Sequence, residues 1–123
     1  MSKAIVETSA AGDYFAKALE VARLVDAGEA VPEADYYLGF SSAAQLFGEL
    51  TAARMALLEA LKGLGPVSIH ALAKQVGRNY SNVHSDVTKL LDLGLIEKDA
   101  AGKIFVPWEE IQVRVSVGRA KAA

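Results

Sequence analysis

The sequence has no cysteine. That excludes disulfides and thiolate metal sites and suits a reducing cytoplasm, the location expected here. Only two histidines are present. They make no usual zinc site unless carboxylates or a partner chain join them, so no metal is expected. No apolar run reaches the roughly 18 residues of a membrane span. The opening residues, Met1 to Glu7, lack the long apolar stretch of a secretory signal. No nucleophile elbow occurs, and Gly63-Leu64-Gly65 lacks the rest of a phosphate loop and follows a helical pattern, so it reads as a helix stop. Enzyme chemistry and a cofactor are not expected.

An apolar content of 52% in 123 residues is enough for a real core, in one domain or one domain with an arm. The net charge of −2 is unevenly spread. Residues 1–50 carry 3 Lys/Arg against 8 Asp/Glu, net −5. Residues 51–103 carry 7 against 5, net +2, and residues 104–123 carry 3 against 2, net +1. A mildly basic segment behind an acidic arm is compatible with a nucleic-acid partner.

Ala4 to Thr8 reads as a short strand. From Asp13 to Ala27, Phe15, Leu19, Ala22 and Val25 fall near helical spacing, with Asp13 as N-cap and Gly28 after the end. Glu29 to Phe40, with Pro32 and Gly39, is a connector whose Leu38-Gly39-Phe40 is extended. Ser41 or Ser42 caps a short helix through Leu50. Thr51 caps the next, Ala52 to Lys62, with Met55, Leu57, Leu58 and Leu61 on its apolar face; Gly63, Gly65 and Pro66 end it. Ser68 caps Ile69 to Val76, with Leu72 and Val76 inward, and Gly77 closes it. Asn79 or Ser81 caps a third helix ending near Leu93, whose Val83, Val87, Leu90 and Leu91 form one stripe, and Gly94 terminates it. Leu95 to Lys98 and Lys103 to Val106 flank the turn-forming Asp99 to Gly102 as a hairpin. Beyond Pro107, Ile111, Val113, Val115 and Val117 alternate with polar residues as a half-buried strand. Gly118 to Ala123 is a frayed tail.

Three helices within about 40 residues, a glycine turn before the third and a hairpin after it, are the order of a winged helix-turn-helix. The third helix then needs a buried stripe to hold it and a polar face for a DNA groove. Arg78, Asn79, Tyr80, Ser81, Asn82, His84, Ser85 and Lys89 are the candidates on or beside that face. Ser, Asn and His read base edges, while Arg78 and Lys89 hold phosphates. Lys98 and Lys103, beside the hairpin turn, meet the flanking backbone. Simpler roles compete. Tyr80 packs on the second helix if it does not touch DNA, Asn82 bonds locally, Asp86 holds a neighbouring arginine, and His70 is a surface residue.

The segments Pro66 to Ala73, Gly77 to Asp86 and Leu93 to Glu97 resemble the MarR-like winged-helix family of bacterial and archaeal transcriptional regulators. The Asn82-Val83-His84-x-Asp86 run is the most specific part. The resemblance extends through Val106-Pro107-Trp108-Glu109-Glu110-Ile111 to the last strand, and loosely to Phe40-Ser41-Ser42. It implies sequence-specific double-stranded DNA binding, with the helix 79–93 in the major groove and the hairpin 95–106 as the wing. Family members are often basic where this chain has Ser81 and Ser85. Some members are described as antitoxin-like, which implies a toxin partner as the alternative; a protein-interaction module is the third reading.

The expected fold is α+β, mainly α. Residues 1–50 form an arm, 51–107 the winged helix-turn-helix, and 108–123 a strand and tail. Homodimer contacts are expected from Phe15, Leu19 and Val25 and from Ile111, Val113, Val115 and Val117.

Overall fold

The computed structural model describes residues 2–8 and 34–117. The expected helix with Phe15, Leu19 and Val25 lies outside the described residues, as does the tail. The fold is α+β and divides into two compact units, Met1–Gly48 with Glu110–Ala123 and Glu49–Glu109. No helix among the described residues is long and apolar enough to cross a membrane.

The first unit holds a three-stranded parallel sheet of β1 (Lys3–Thr8), β2 (Tyr36–Phe40) and β5 (Glu110–Arg114), in the order β2-β1-β5. Ala4 lies opposite Tyr36 on one side and Ile111 on the other. Ala4, Ile5 and Val6 are all fully buried. Three consecutive buried residues mean that both faces of β1 are covered, as expected of a central parallel strand. Asp35 anchors the entry to β2: its N–H donates to Lys3 O (2.9 Å), and its Oδ2 accepts from Lys3 N (3.1 Å).

Helix α1 (Ala43–Glu49) follows β2. Ser42 Oγ accepts from Gln45 N (3.1 Å), and Gln45 Oε1 accepts from Ser41 N (2.8 Å), a reciprocal arrangement close to a capping box. Leu46 is its buried anchor.

The last strand differs from its expectation. It stops at Arg114, Val115 is half-buried and Val117 is 91% exposed. The ladder with β1 runs only to the Glu7–Arg114 step, and beyond it Ser116 N donates to a side chain, Thr8 Oγ1 (3.4 Å). The alternation therefore continues past the point where backbone pairing supports a strand. Within the described residues, Ile111 and Val113 belong to a sheet inside one chain.

The second unit contains α2 (Ala52–Leu64), α3 (Ile69–Val76) and α4 (Tyr80–Asp92), then the strands β3 (Glu97–Lys98) and β4 (Ile104–Phe105). Thr51, Ser68 and Asn79 are the N-caps, each accepting backbone N–H groups of the first turn. Helix α2 runs through Gly63 to Leu64 and is capped at Gly65, so the second glycine ends it and not the first. Its buried leucines are Leu57, Leu58 and Leu61, with Met55 half-buried. They share a core with Leu72, Ala73, Val83, Val87, Leu90, Leu95, Ile96 and Ile104. Val76 and Leu91 are only half-buried, and Ala73 takes the place expected of Val76.

The hairpin turn is set by Asp99, whose Oδ1 accepts from Ala101 N and Lys103 N, each at 2.9 Å. A third segment joins it. Val67 and Ile104 exchange both backbone bonds, at 3.0 and 2.8 Å. Trp108 Nε1 donates to Gly94 O (3.0 Å), pinning the chain after the hairpin to the end of α4.

Gly77 joins α3 to α4 in the left-handed region, at φ 67° and ψ 35°. A Cβ there would meet no heavy atom within 4 Å, so the cost of Gly77→Ala is backbone strain alone. The expected destabilisation is about 1 kcal/mol. Denaturant unfolding should show a lower midpoint at unchanged slope; an unshifted midpoint would contradict the strain.

Candidate nucleic-acid interface

The three residues Gly77-Arg78-Asn79 turn the chain from α3 into α4. Asn79 Oδ1 accepts from Ser81 N (2.8 Å), Asn82 N (3.4 Å) and Ser81 Oγ (2.7 Å), so the cap fixes where α4 begins. Val83, Val87 and Leu90 bury one stripe of the helix. Ser81, Asn82, His84, Ser85, Thr88 and Asp92 do not belong to that stripe, and Ser81, Asn82, His84 and Ser85 are exposed. Ser81, Ser85, Thr88 and Asp92 recur at 4, 3 and 4 residues, one outer stripe whose N-terminal part is uncharged and whose end is acidic.

An aromatic group sits at the start of that face. Tyr80, 40% exposed, stacks on His70 of α3 with ring centroids 4.0 Å apart and planes 16° from parallel. His84, one turn along, lies tilted against the same tyrosine at 5.8 Å. Exposed Thr88 donates its Oγ1 hydroxyl back to His84 O (2.9 Å), so that hydroxyl is left as an acceptor.

Behind this face lies a charge cluster. Asp86 accepts from Arg54 Nε (3.0 Å) and from Arg78 Nη2 (2.9 Å), while Arg54 Nη1 donates to Glu49 O (2.8 Å). One carboxylate thus ties together α2, the turn and α4. Arg78 Nη1 is buried without a hydrogen-bond partner among the described residues.

A protein-family model, HVO_A0114, matches residues 49–113, more than half of the chain. The chain belongs to the HVO_A0114 family. Its match begins where the helical unit begins and runs through that unit into β5. The whole candidate face and the Asp86 cluster therefore fall inside the HVO_A0114 region. No curated protein and no solved structure matches the chain.

The predicted residues divide into three groups. Tyr80, Ser81, Asn82, His84 and Ser85 come together on the exposed part of α4. Lys98 and Lys103 flank the hairpin turn, exposed, with no ion-pair partner among the described residues. Arg78, Asn79 and Lys89 are engaged within the fold. Arg78 is on Asp86, Asn79 is the cap, and Lys89 Nζ pairs with Glu49 Oε1 (2.9 Å). The phosphate role expected of Arg78 and Lys89 thus competes with carboxylates already in contact. Asp86 holds Arg78, the structural role weighed for it above, and also Arg54, a pairing across 32 positions that no local spacing encodes. His70 was missed as part of the face. It stands ten positions from Tyr80, and only the turn geometry brings the rings together.

Proposed function

We propose that this HVO_A0114-family protein is a sequence-specific DNA-binding regulator of transcription, of winged helix-turn-helix type and similar to MarR-like regulators, acting as a homodimer. The observation that carries the reading is the uncharged, hydrogen-bonding N-terminal face of α4. It is left uncovered by a core that buries the opposite stripe. A groove-reading helix needs that combination. Tyr80, Ser81, Asn82, His84 and Ser85 supply donors, acceptors and an aromatic edge for base contacts. Lys98 and Lys103 supply the phosphate contacts from the wing, and two subunits offset the small number of cations on each. Two recognition helices then address half-sites about 34 Å apart.

Selecting bound duplexes from a random pool and sequencing them tests the reading. A two-fold-related motif is the expected product. Affinity should fall steeply with salt. Lys98→Ala with Lys103→Ala should weaken all duplexes alike and reduce the salt slope by about one for each phosphate left unneutralised. Failure to retain any duplex at low salt rejects DNA binding and favours a protein-interaction module.

The acidic balance of residues 1–50, 3 Lys/Arg against 8 Asp/Glu, favours one second reading. In it the same DNA-binding unit belongs to an antitoxin whose acidic arm neutralises a basic toxin. Neutralisation of a basic protein encoded beside it, abolished when residues 1–50 are removed, would distinguish that reading.

A further inference from the structure

We propose that two copies of the chain pair antiparallel along the outer edge of β5, in a register centred on Gln112. The proposal rests on the homodimer reading for its partner, a second copy, and is independent of DNA binding.

Strand β5 ends the β2-β1-β5 sheet. In a parallel ladder the N–H and C=O of one residue point to the same side, and the side alternates along the strand. Glu110 N donates to Ser2 O (3.3 Å). Glu110, Gln112 and Arg114 therefore turn their backbone groups toward β1, and Ile111 and Val113 turn theirs outward. Among the described residues no strand takes those outward groups. Such an edge is a template for another chain.

A two-fold axis at Gln112 sets Ile111 opposite Val113 of the second copy, and Val113 opposite Ile111. Both pairs use outward-facing groups, each exchanging two backbone bonds. The intervening pairs are the close, non-hydrogen-bonded kind. They are Gln112 with Gln112, and Glu110 with Arg114 on each side. Shifting the centre to Ile111 or Val113 also uses the outward groups, but it gives up the Glu110–Arg114 match. One register therefore satisfies the backbone and places opposite charges face to face.

The side chains are already arranged for it. Arg114 Nη2 donates to Gln112 Oε1 (3.0 Å), and Gln112 Nε2 donates to Glu110 Oε1 (3.3 Å), so the polar residues form a row along one face. Lys3 Nζ reaches Glu110 only at 3.8 Å, and Glu110 stays 55% exposed. Two such rows run antiparallel in the dimer, while half-buried Ile111 and Val113 meet their counterparts on the other face. Edges that avoid association carry charged side chains, lysine above all, or proline. Here the charges attract a second copy.

The absence of native cysteine makes the register directly testable. Across a non-hydrogen-bonded pair the Cα atoms lie about 4.5 Å apart, within disulfide reach. Gln112→Cys should give a covalent dimer on mild oxidation, and Ile111→Cys should not, because Ile111 faces Val113 and not itself. In sedimentation equilibrium Glu110→Arg and Arg114→Glu should each raise the dimer dissociation constant about tenfold, since each turns two cross-strand attractions into repulsions. The double exchange should restore it. A parent chain that stays monomeric at high micromolar concentration overturns this proposal and the homodimer reading together. A parent dimer whose Gln112→Cys form fails to crosslink, and whose charge variants stay dimeric, overturns this register and leaves the homodimer standing.

Discussion

Replacing Asp86 with alanine should destabilise the helical unit by about 2–3 kcal/mol, the largest effect expected from any single polar change in it. Asp86 is only 14% exposed in its side chain and is the carboxylate shared by Arg54 and Arg78. Removing it takes the shared carboxylate from two partly buried guanidiniums, one of which, that of Arg78, already has an Nη1 with no hydrogen-bond partner among the described residues. Breaking a fully buried pair costs more; the partial exposure of both arginines lowers the figure here. Asp86→Asn keeps the shape and one acceptor, so its destabilisation should be about half as large. Trp108 is the only tryptophan, and its indole is bonded to Gly94 inside the same unit, so its fluorescence reports this unit's unfolding. Urea melts of the three proteins check the order. A parent-like midpoint for Asp86→Ala would show that the cluster ties nothing together.

The helical unit was legible because its determinants are local. Thr51, Ser68 and Asn79 cap within three residues of themselves, and Gly77 and Asp99 shape turns through their own backbone or side chain. The stripe Val83, Val87 and Leu90 follows from helical periodicity alone. What escaped was long-range. Ala4 to Thr8 was the one other extended run free to pair with the last strand, but a period-two pattern at Ile111 does not reveal the parallel direction or that Tyr36 to Phe40 joins on the other side of β1. The same pattern runs on through Val117, whereas the ladder stops at the Glu7–Arg114 pair. Val67 joining Ile104, and Trp108 reaching Gly94, are likewise contacts that no local spacing encodes.

The candidate site was legible in part for the same reason. Which residues of α4 face outward follows from which face inward. Which cations remain available does not, because it depends on carboxylates elsewhere in the chain. Arg78 looks like a phosphate contact at a helix entrance until Asp86 is seen eight residues on, drawn also to Arg54. Lys89 looks equally open until Glu49 is placed beside it. Tyr80 is the opposite case. Its stacking on His70 supplies the packing role that competed with a contact role, yet the ring remains 40% exposed, so both roles stay open to one residue.

That double role makes Tyr80 the most informative position on the face. Tyr80→Ala should lower affinity for the selected duplex by about 1–3 kcal/mol, roughly 5- to 150-fold, with little effect on non-specific DNA. The penalty for removing a base contact is confined to sequences that offer it, whereas removing a phosphate contact weakens every duplex alike. Tyr80→Phe keeps the stack on His70 and removes only the hydroxyl. If the hydroxyl reads a base, this variant should relax the preference at one position without lowering stability. His70→Ala removes the stacking partner and leaves the tyrosine. If Tyr80 acts only through packing, His70→Ala and Tyr80→Ala should lower stability together, change binding to every sequence equally and leave the selected motif intact. Ser85→Ala, on the outer stripe with no packing role, should alter the motif while the melting temperature stays at the parent value. Binding competitions with selected and scrambled duplexes, read beside thermal melts of each variant, separate these cases. An unchanged motif in Tyr80→Ala, Tyr80→Phe and Ser85→Ala would move the DNA-reading surface away from this face of α4.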